Sequence, residues 1–385
     1  MEGAKTEVRP NVPARSACNK PRPMLPCAHV RGASAPHERK RMKRIINAVA
    51  PIRICDLGGW SDTWFARHGQ VLNLGVYPYV QCQMTVAEAA GPKGKLTIYA
   101  ENYGDRYTID PQDVVYDRHP LLEACVVAMK IPEGLDIEVT LYATIPGGSS
   151  TGTSAAVTVA LIGALDMLTP GRLAPHQVAA KAHEVETKLL GQQSGIQDQL
   201  CAAFGGINFI DMTEYPHATV SPVFIPNTEW WELESRISLV FLGHTHASSA
   251  VHERVIRELR EAGDDGGEKL DALRCEAVAG RDALYAGDLE AFGAAMIRNT
   301  EAQAALNPAL IPPTARTIFD IARRHGAVGW KVNGAGGEGG SVTLLGTSSR
   351  VEQRRMLREI EELGGGVRVI ETYLSRYGLR VWEGL

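Results

Sequence analysis

Hydrophobic and polar residues alternate along several segments in the first half of the chain. In the clearest of them, residues 135–143, Leu135, Ile137, Val139 and Leu141 share one face, as expected of a half-buried strand. Further runs rich in Val, Leu, Ile, Tyr and Thr also predict strands, at 45–49, 71–86, 95–100, 236–242, 328–332, 341–345 and 367–372.

Longer segments with helical periodicity begin near residue 154. Residues 154–168 form an apolar stretch that ends at Thr169-Pro170-Gly171, and residues 174–190 form a second helix that ends at Gly191. Four more helices are predicted at 251–262, 269–285, 289–299 and 315–325. Because strands come first and helices mix in later without a regular βαβα order, the pattern predicts the α+β fold class.

The 385 residues suffice for two domains, each with its own core. We place the boundary after Phe224-Ile225-Pro226, which gives a first domain at 45–226 and a second at 227–385. Residues 1–44 carry eleven Lys and Arg against three Glu, and six prolines, so we expect a disordered basic tail. Such an arm suits nucleic acid or an organellar import receptor, but a dispensable tail is the favoured interpretation and nucleic acid is not expected as a partner.

The composition is that of an ordinary globular protein, with 44% hydrophobic and 22% charged residues. No apolar stretch has the length of a membrane span, so no membrane association is expected. The seven cysteines are scattered and form no C-x-x-C pair, which favours buried thiols in a reducing cytoplasm over disulfides or a zinc site. The pair His244 and His246, with His252 beyond, is a weak candidate for a metal site.

The most informative segment joins the 135–143 strand to the first helix: Pro-Gly-Gly-Ser-Ser-Thr-Gly-Thr-Ser-Ala-Ala at 146–156. Glycines let backbone N–H groups converge, and the N-terminus of the helix adds partial positive charge, so the segment predicts a polyphosphate site. It is not a Walker A loop, because Thr153 stands where that motif needs lysine. The predicted phosphate contacts are Gly147, Gly148, Ser149, Ser150, Thr151, Gly152, Thr153 and Ser154.

This loop resembles the second motif of the GHMP kinases, the superfamily of galactokinase, homoserine kinase, mevalonate kinase and phosphomevalonate kinase. Residues 50–63, Ala-Pro-Ile-Arg-Ile-Cys-Asp-Leu-Gly-Gly-Trp-Ser-Asp-Thr, resemble the first motif, in the form found in fucokinases and heptose 7-phosphate kinases. The resemblance implies that Arg53 is the cation at the phosphoryl-transfer point. It also implies that Asp62, with Gly59, binds the sugar.

A third glycine-rich segment, Lys-Val-Asn-Gly-Ala-Gly-Gly-Glu-Gly-Gly at 331–340, satisfies G-x-G-x-x-G. A dinucleotide site is disfavoured, because residues 341–345 predict a strand where that fingerprint needs a helix. In GHMP kinases a similar loop closes on the phosphates, which would give Gly334, Gly336 and Gly337 this role. Glu338 is expected to face solvent, since a carboxylate beside polyphosphate is unfavourable.

Residues 186–206 resemble the family segment that supplies a metal-binding glutamate and a catalytic aspartate. By that match Asp198 is the catalytic base, and Glu186 holds Mg²⁺ together with a hydroxyl of Thr153 or Ser154. Glu184 would lie on the other side of the helix and face solvent.

The resemblance implies an N-terminal domain like ribosomal protein S5 and a ferredoxin-like C-terminal domain. It also implies an ATP- and Mg²⁺-dependent kinase, monomeric or homodimeric, whose partner is a sugar or sugar phosphate. Heptose 7-phosphate is the first choice. At 241–249 this chain has histidine where relatives carry arginine, which weakens the case for a phosphorylated acceptor. A kinase of C1 of a free hexose, a mevalonate-type acid as acceptor, and a catalytically silent sugar sensor remain alternatives.

Overall fold

The computed structural model describes residues 43–145, 147–245, 248–261 and 267–384, excluding the side chains of residues 248–250, 252 and 260. The predicted tail therefore lies outside the described residues, apart from its end: Arg44 already begins the first strand. Pro146, His246 and the C-terminal Leu385 also lie outside them.

Thirteen strands occur within the described residues. They are β1 (Arg44–Leu57), β2 (Gly69–Glu88), β3 (Lys95–Ala100), β4 (Asp105–Ile109), β5 (Leu135–Ala143), β6 (Ile207–Glu214), β7 (His217–Pro222), β8 (Ile237–Leu242), β9 (Gly329–Val332), β10 (Ser341–Leu345), β11 (Val367–Ile370), β12 (Tyr373–Leu374) and β13 (Arg380–Glu383).

Ten α-helices occur in the same part of the chain. They are α1 (Pro120–Met129), α2 (Thr153–Asp166), α3 (Pro175–Glu184), α4 (Gln197–Phe204), α5 (Asn227–Arg236), α6 (Ser248–Glu261), α7 (Glu268–Ala286), α8 (Leu289–Leu306), α9 (Pro313–Arg324) and α10 (Arg350–Glu361). A π-helical turn, Val185–Leu189, extends α3.

The larger sheet is organised around β2, whose twenty residues reach four other strands. Its order is β13-β1-β2-β5-β3-β4, with β6 and β12 also paired to β2, and β7 paired to β6. All pairs are antiparallel except β3 with β5. Helices α2, α4 and α7 pack against β1 and β2 and complete the larger hydrophobic core.

The smaller sheet has the order β11-β8-β10-β9 and is antiparallel throughout. Helices α5, α8 and α10 contact it, and a second core lies among α6, α9 and these strands. The last strands, β12 and β13, return to the larger sheet, where they pair with β2 and β1.

The α+β fold class is confirmed, and every strand and helix predicted above has a counterpart. The predicted boundary at 226/227 stays a proposal. It separates the strands of the two sheets except at the C-terminus, where residues 373–383 belong to the first sheet. The sequence prediction missed this return because two short strands carry little periodicity of their own.

Candidate active site

A cleft of about 660 Å³ opens beside the glycine-rich loop between β5 and α2. The eight predicted phosphate contacts of this loop, 147–154, line the cleft together with Arg53 and Asp198, whereas Gly334, Gly336 and Gly337 do not. Farther along, its walls are aromatic and apolar. The described residues there include Tyr103, His119, Leu121 and Tyr142. The cleft thus combines a polar end that offers N–H and hydroxyl groups with an end suited to a flat ring.

Left-handed backbone conformations shape the loop. Gly148 and Gly152 have φ of 77° and 66°, and Gly152 is the residue from which α2 begins. A Cβ on Gly152 would lie 3.0 Å from Cγ of Asp198. Glycine at 152 therefore allows the carboxylate of Asp198 to approach the start of α2, where the first N–H groups have no acceptor within the helix.

Arg53, on β1, connects Asp198 to the loop. Its Nε donates to Oδ1 of Asp198 at 2.7 Å, and its Nη2 lies 3.4 Å from Oδ2, so the guanidinium faces both carboxylate oxygens. Nη1 donates to the carbonyl oxygen of Ser150. Burial lowers the pKa of Arg53, but Asp198 and Asp56 outweigh burial and raise it, so the guanidinium stays charged.

A second, smaller cavity of about 150 Å³ adjoins the cleft. Arg53, Ser154, Asp198 and Ala335 line both spaces. The other described lining residues are Trp60, Asp62, Thr63, Glu186, Gln192, Gln193, Ser194, Gly195, Gln197 and Gly334. A polar cavity of this kind on the other side of Asp198 suits a small hydroxylated molecule.

Asp62 lies deep in the smaller cavity and is 2% exposed. Its Oδ2 accepts the backbone N–H groups of Ile196 and Gln197, at 3.0 and 3.1 Å, and its Oδ1 accepts Nε2 of Gln197 at 3.3 Å. Burial raises the pKa of Asp62 to about 6 in spite of these bonds. The side chain thus holds the start of α4, which carries Asp198, and also faces the cavity.

Glu186 lies in the π-helical turn and is 5% exposed. Its Oε2 accepts the hydroxyl of Ser194 at 2.7 Å and Nε2 of Gln199 at 2.8 Å. Its Oε1 is buried without a hydrogen-bond partner among the described residues. Burial raises the pKa of Glu186 to about 7. A divalent cation would satisfy this oxygen and offset the cost of the buried charge, so the donor set here fits Mg²⁺.

Comparison with known proteins agrees with this geometry. Residues 120–206 match the GHMP kinases N terminal domain, and residues 281–365 match the GHMP kinases C terminal domain. The chain is also 30% identical to mevalonate kinase of Thermococcus gammatolerans over 258 residues, which is 65% of this chain and 70% of that protein. The chain is a GHMP kinase.

One relative of this GHMP kinase is similar over almost its whole length. D-glycero-alpha-D-manno-heptose 7-phosphate kinase of Campylobacter jejuni is 25% identical over 356 residues, 88% of this chain and 99% of that protein. The fold is also that of solved GHMP kinases. A heptose 1-phosphate kinase from Bacteroides thetaiotaomicron has a TM-score of 0.68 at 23% identity, over 88% of this chain and 98% of that one. As a GHMP kinase, the protein is a phosphotransferase with an alcohol group as acceptor.

Three of the predicted positions, Gly59, Gly336 and Gly337, line neither space. Gly59 does not line either space; a Cβ there would meet Oδ2 of Asp56 at 2.5 Å, so close packing explains this glycine. Gly336 packs against the carbonyl oxygen of Leu310, at 2.4 Å from an added Cβ. Their predicted roles in binding sugar and phosphate stay predictions.

The remaining predicted positions differ in whether they line the cavities and in the contacts they make. Gly334 lines the smaller cavity, whereas Gly337 packs near Val251. Thr153 Oγ1 lies 3.0 Å from Thr151 Oγ1, so its hydroxyl already has a partner, while Ser154 is exposed and lines both spaces. Of the two hydroxyls proposed for Mg²⁺, Ser154 therefore fits better.

Sequence reasoning missed a buried polar group behind Arg53, formed by Asp56, Gln303, Lys331 and the N–H and C=O of Gly334. Asp56 lies in the motif at 50–63, and Lys331 lies in the motif at 331–340. A charged residue within an apolar strand was the signal that could have identified both. Gln303 lies on α8 and only the fold brings it here. Glu338 is exposed, as predicted, and His244 is exposed at the start of the segment that follows β8.

Proposed function

We propose that this GHMP kinase transfers the γ-phosphoryl group of ATP to a hydroxyl of a sugar or sugar phosphate, with heptose 7-phosphate as the first choice of acceptor. One observation carries the proposal: Asp198 lines both the cleft with the glycine-rich loop and the small polar cavity. A base in this position reaches a hydroxyl in the cavity next to a phosphate in the cleft.

In the proposed reaction, Asp198 accepts the proton of the acceptor hydroxyl. The hydroxyl oxygen forms a bond to the γ-phosphorus as the bond from that phosphorus to the β,γ-bridging oxygen breaks, and ADP leaves. Arg53 orients the carboxylate through the 2.7 Å contact and stabilises the negative charge on the transferring group. The loop N–H groups and the start of α2 bind the remaining phosphate oxygens.

Glu186 and Ser154 would hold Mg²⁺, since both line the smaller cavity and Oε1 of Glu186 has no hydrogen-bond partner in the described part of the chain. When bound, the ion neutralises negative charge on the phosphate oxygens. Ser194 and Gln199 keep Glu186 in place through their bonds to Oε2.

The aromatic end of the cleft would bind the nucleotide base. Tyr103 is 73% exposed, and its ring centroid lies 5.3 Å from that of His119. His119 in turn contacts Oδ2 of Asp105 at 3.0 Å, which fixes the direction of the imidazole. A flat base can stack on the exposed face of the Tyr103 ring.

The choice of acceptor rests on similarity to a relative and on the charges that line the small cavity. Similarity to the heptose 7-phosphate kinase of Campylobacter jejuni over 99% of its length supports a phosphorylated heptose. An alternative is C1 phosphorylation of a free hexose or deoxyhexose. One observation supports this alternative: Arg53 is the one lysine or arginine among the described residues lining the small cavity, and Arg53 already faces Asp198.

A panel of acceptors tests the proposal. Heptose 7-phosphate, the corresponding free heptose, L-fucose, D-galactose and mevalonate are each incubated with ATP and Mg²⁺, and the product is read by mass spectrometry and phosphorus NMR. We expect turnover with heptose 7-phosphate. Turnover restricted to a free sugar would show that the acceptor is not heptose 7-phosphate and would support C1 phosphorylation. Saturable sugar binding without phosphate transfer would indicate a sensor and overturn the enzymatic proposal.

A further inference from the structure

A closed ring of polar contacts lies behind the proposed catalytic residues. The backbone N–H of Gly334 donates to both carboxylate oxygens of Asp56, at 3.0 and 3.1 Å. The carbonyl oxygen of Gly334 accepts Nε2 of Gln303 at 3.0 Å, and Oε1 of Gln303 accepts Nζ of Lys331 at 2.8 Å. Nζ of Lys331 lies 3.7 Å from Oδ1 of Asp56 and so closes the ring.

The ring joins three elements that are distant in sequence, since Asp56 is on β1, Gln303 on α8 and Lys331 on β9. All three side chains are 1% exposed or less. Burying two charges and an amide is costly unless each has partners, and here every member contacts at least two others. A hydrophobic set would fill the same space at lower cost, so the polar ring calls for an explanation beyond packing.

The ring touches Arg53 in two ways. Nη1 of Arg53 lies 3.9 Å from Oδ1 of Asp56. A Cβ on Gly334 would lie 2.9 Å from Nη2 of Arg53 and 3.2 Å from Cβ of Ser150. The guanidinium is thus held by the carboxylates of Asp198 and Asp56 and by the Gly334 backbone.

Gln303 also reaches the next part of the same glycine-rich loop. A Cβ on Gly336 would lie 3.0 Å from its Nε2. One amide therefore contacts the loop at two places and the Lys331 ammonium at a third. This arrangement ties the loop position to the position of the charges behind Arg53.

The charges in this region balance. Burial raises the pKa of Asp56, but Lys331 and Arg53 outweigh it, so the pKa lies below its ordinary value and Asp56 is ionised. Burial lowers the pKa of Lys331, and Asp56 opposes that shift. Removing the charge of either residue alone would leave the other buried without its partner.

We propose that Asp56, Gln303 and Lys331 are positioning residues: through Gly334 they hold the guanidinium of Arg53 in the orientation that faces Asp198, and they do not touch the substrates. This inference rests on the role proposed for Arg53 above. Since a displacement of about 1 Å in an active site costs about 10²-fold in rate, loosening the ring is expected to act on turnover more than on binding.

Gln303→Met is the main test, because it removes two links of the ring without changing any charge and keeps a similar length. We expect kcat to fall by about 10- to 100-fold, with little change in the KM for ATP. A second readout needs no acceptor: the Nε–H signal of Arg53 in arginine-selective ¹H–¹⁵N spectra, identified by its loss in Arg53→Lys. We expect slow hydrogen exchange at this signal in the wild-type protein and faster exchange in Gln303→Met.

Thr300→Val is the matched control. Thr300 is also buried on α8, and its hydroxyl bonds the carbonyl oxygens of Met296 and Trp330 but no member of the ring. The substitution should lower the unfolding temperature by an amount similar to that of Gln303→Met while leaving the Arg53 signal and kcat unchanged. The double variant Asp56→Asn/Lys331→Met, which leaves no unpaired charge, should behave like Gln303→Met and serves if that single variant does not fold.

If both ring variants leave the Arg53 exchange rate and kcat at wild-type levels, the ring is only structural and the inference is wrong. Failure of the proposed function looks different. Full turnover in Arg53→Lys would remove Arg53 from the chemistry, while the exchange measurement would still report whether the ring orients its side chain.

Discussion

At the scale of single residues, the chemistry depends on carboxylates placed in different environments. Asp198 is partly exposed and faces Arg53, whereas Asp62 and Glu186 are buried and their pKa values are raised to about 6 and 7. Burial is the largest cause of both raised pKa values.

Asp198→Asn should leave nucleotide binding nearly unchanged and lower kcat by about 10²–10⁴-fold, because the amide keeps the shape but cannot accept the proton. Calorimetric titration with a non-hydrolysable ATP analogue and single-turnover transfer to the acceptor measure the two effects. Glu184→Gln is the control, since Glu184 pairs with Lys188 at 3.0 Å on the helix surface. Retained turnover in Asp198→Asn would remove this residue from the mechanism.

Asp62→Asn should change how stability depends on pH. The pKa of Asp62 is 3.8 in the unfolded chain and about 6 in the folded protein, so the folded state keeps the proton up to a higher pH. Its contribution to stability is therefore present at low pH and is lost as pH rises through this window. The loss amounts to about 3 kcal/mol at most.

Urea unfolding at pH 4.5 and 7.5 measures this effect. The difference in free energy of unfolding between variant and wild type should shift in favour of Asp62→Asn at the higher pH. Oε1 of Gln197, which has no hydrogen-bond partner among the described residues, can turn to accept the new amide of the asparagine. A difference that is the same at both pH values would show that Asp62 ionises normally in the folded protein.

At the scale of elements, irregularities in β1 and in the turn after α3 lie at residues of the site. In β1 the register with β2 shifts on both sides of Arg53, between Ala50 and Ile52 and between Ile54 and Leu57. The first shift falls at Pro51, which cannot donate a ladder hydrogen bond. The π-helical turn after α3 carries Glu186. Such irregularities often mark functional sites because they redirect side chains.

Gly334→Ala should reduce both stability and turnover. With φ of +60°, alanine at this position costs about 1–2 kcal/mol in backbone energy, and its Cβ would press on Nη2 of Arg53. Gly364→Ala is the matched control, since Gly364 has φ of +66° and open space around an added Cβ. We expect similar losses in the free energy of unfolding but a fall in kcat only for Gly334→Ala. Equal kcat values would mean that the loop does not constrain Arg53.

At the scale of the whole molecule, the C-terminus completes the first sheet. Leu374 of β12 is 7% exposed, and its N–H donates to Oε2 of Glu234 at 2.9 Å. Ser375 exchanges backbone hydrogen bonds with Gly75 and Gly206. Leu379 fills the space beside Gly163 of α2. The first sheet is therefore complete only when β12 and β13, which follow the second sheet in the chain, have paired with β2 and β1.

Leu374→Ala should lower the free energy of unfolding by about 2–3 kcal/mol, as typical for a buried leucine. Tyr373→Ala, at a neighbouring position that is 49% exposed, should change it by less than about 1 kcal/mol. Guanidinium unfolding followed by circular dichroism and by tryptophan fluorescence measures both. If Leu374→Ala matches Tyr373→Ala, the return of the chain is not important for stability.

No helix in the described part of the chain is long and apolar enough to cross a bilayer. Of the five cysteines that the structure describes, Cys55, Cys82, Cys125 and Cys201 are buried and Cys275 is exposed. Burial of the first four agrees with the prediction of buried thiols, and the exposed Cys275 departs from it.

Resemblance to the GHMP kinases pointed to Arg53 and Asp198. The sequence by itself predicted a phosphate site at the glycine-rich loop, the placement of Glu184 outside and Glu186 inside, and the α+β class. These features depend on local patterns: glycine spacing, helix phase and strand alternation are each written within about twenty residues. Short elements such as α4 and β7 were missed because a segment of so few residues shows little periodicity.

Only the tertiary structure decided the rest. It placed Gln303 against Gly334, Asp56 against Lys331 and Asp62 under the start of α4, over sequence separations of 31, 275 and 134 residues. Such contacts depend on how sheets and helices pack. A polar residue that is predicted to be buried does not indicate which distant residue it will contact. The physical reason is that burial makes partners obligatory while leaving their identity to the fold.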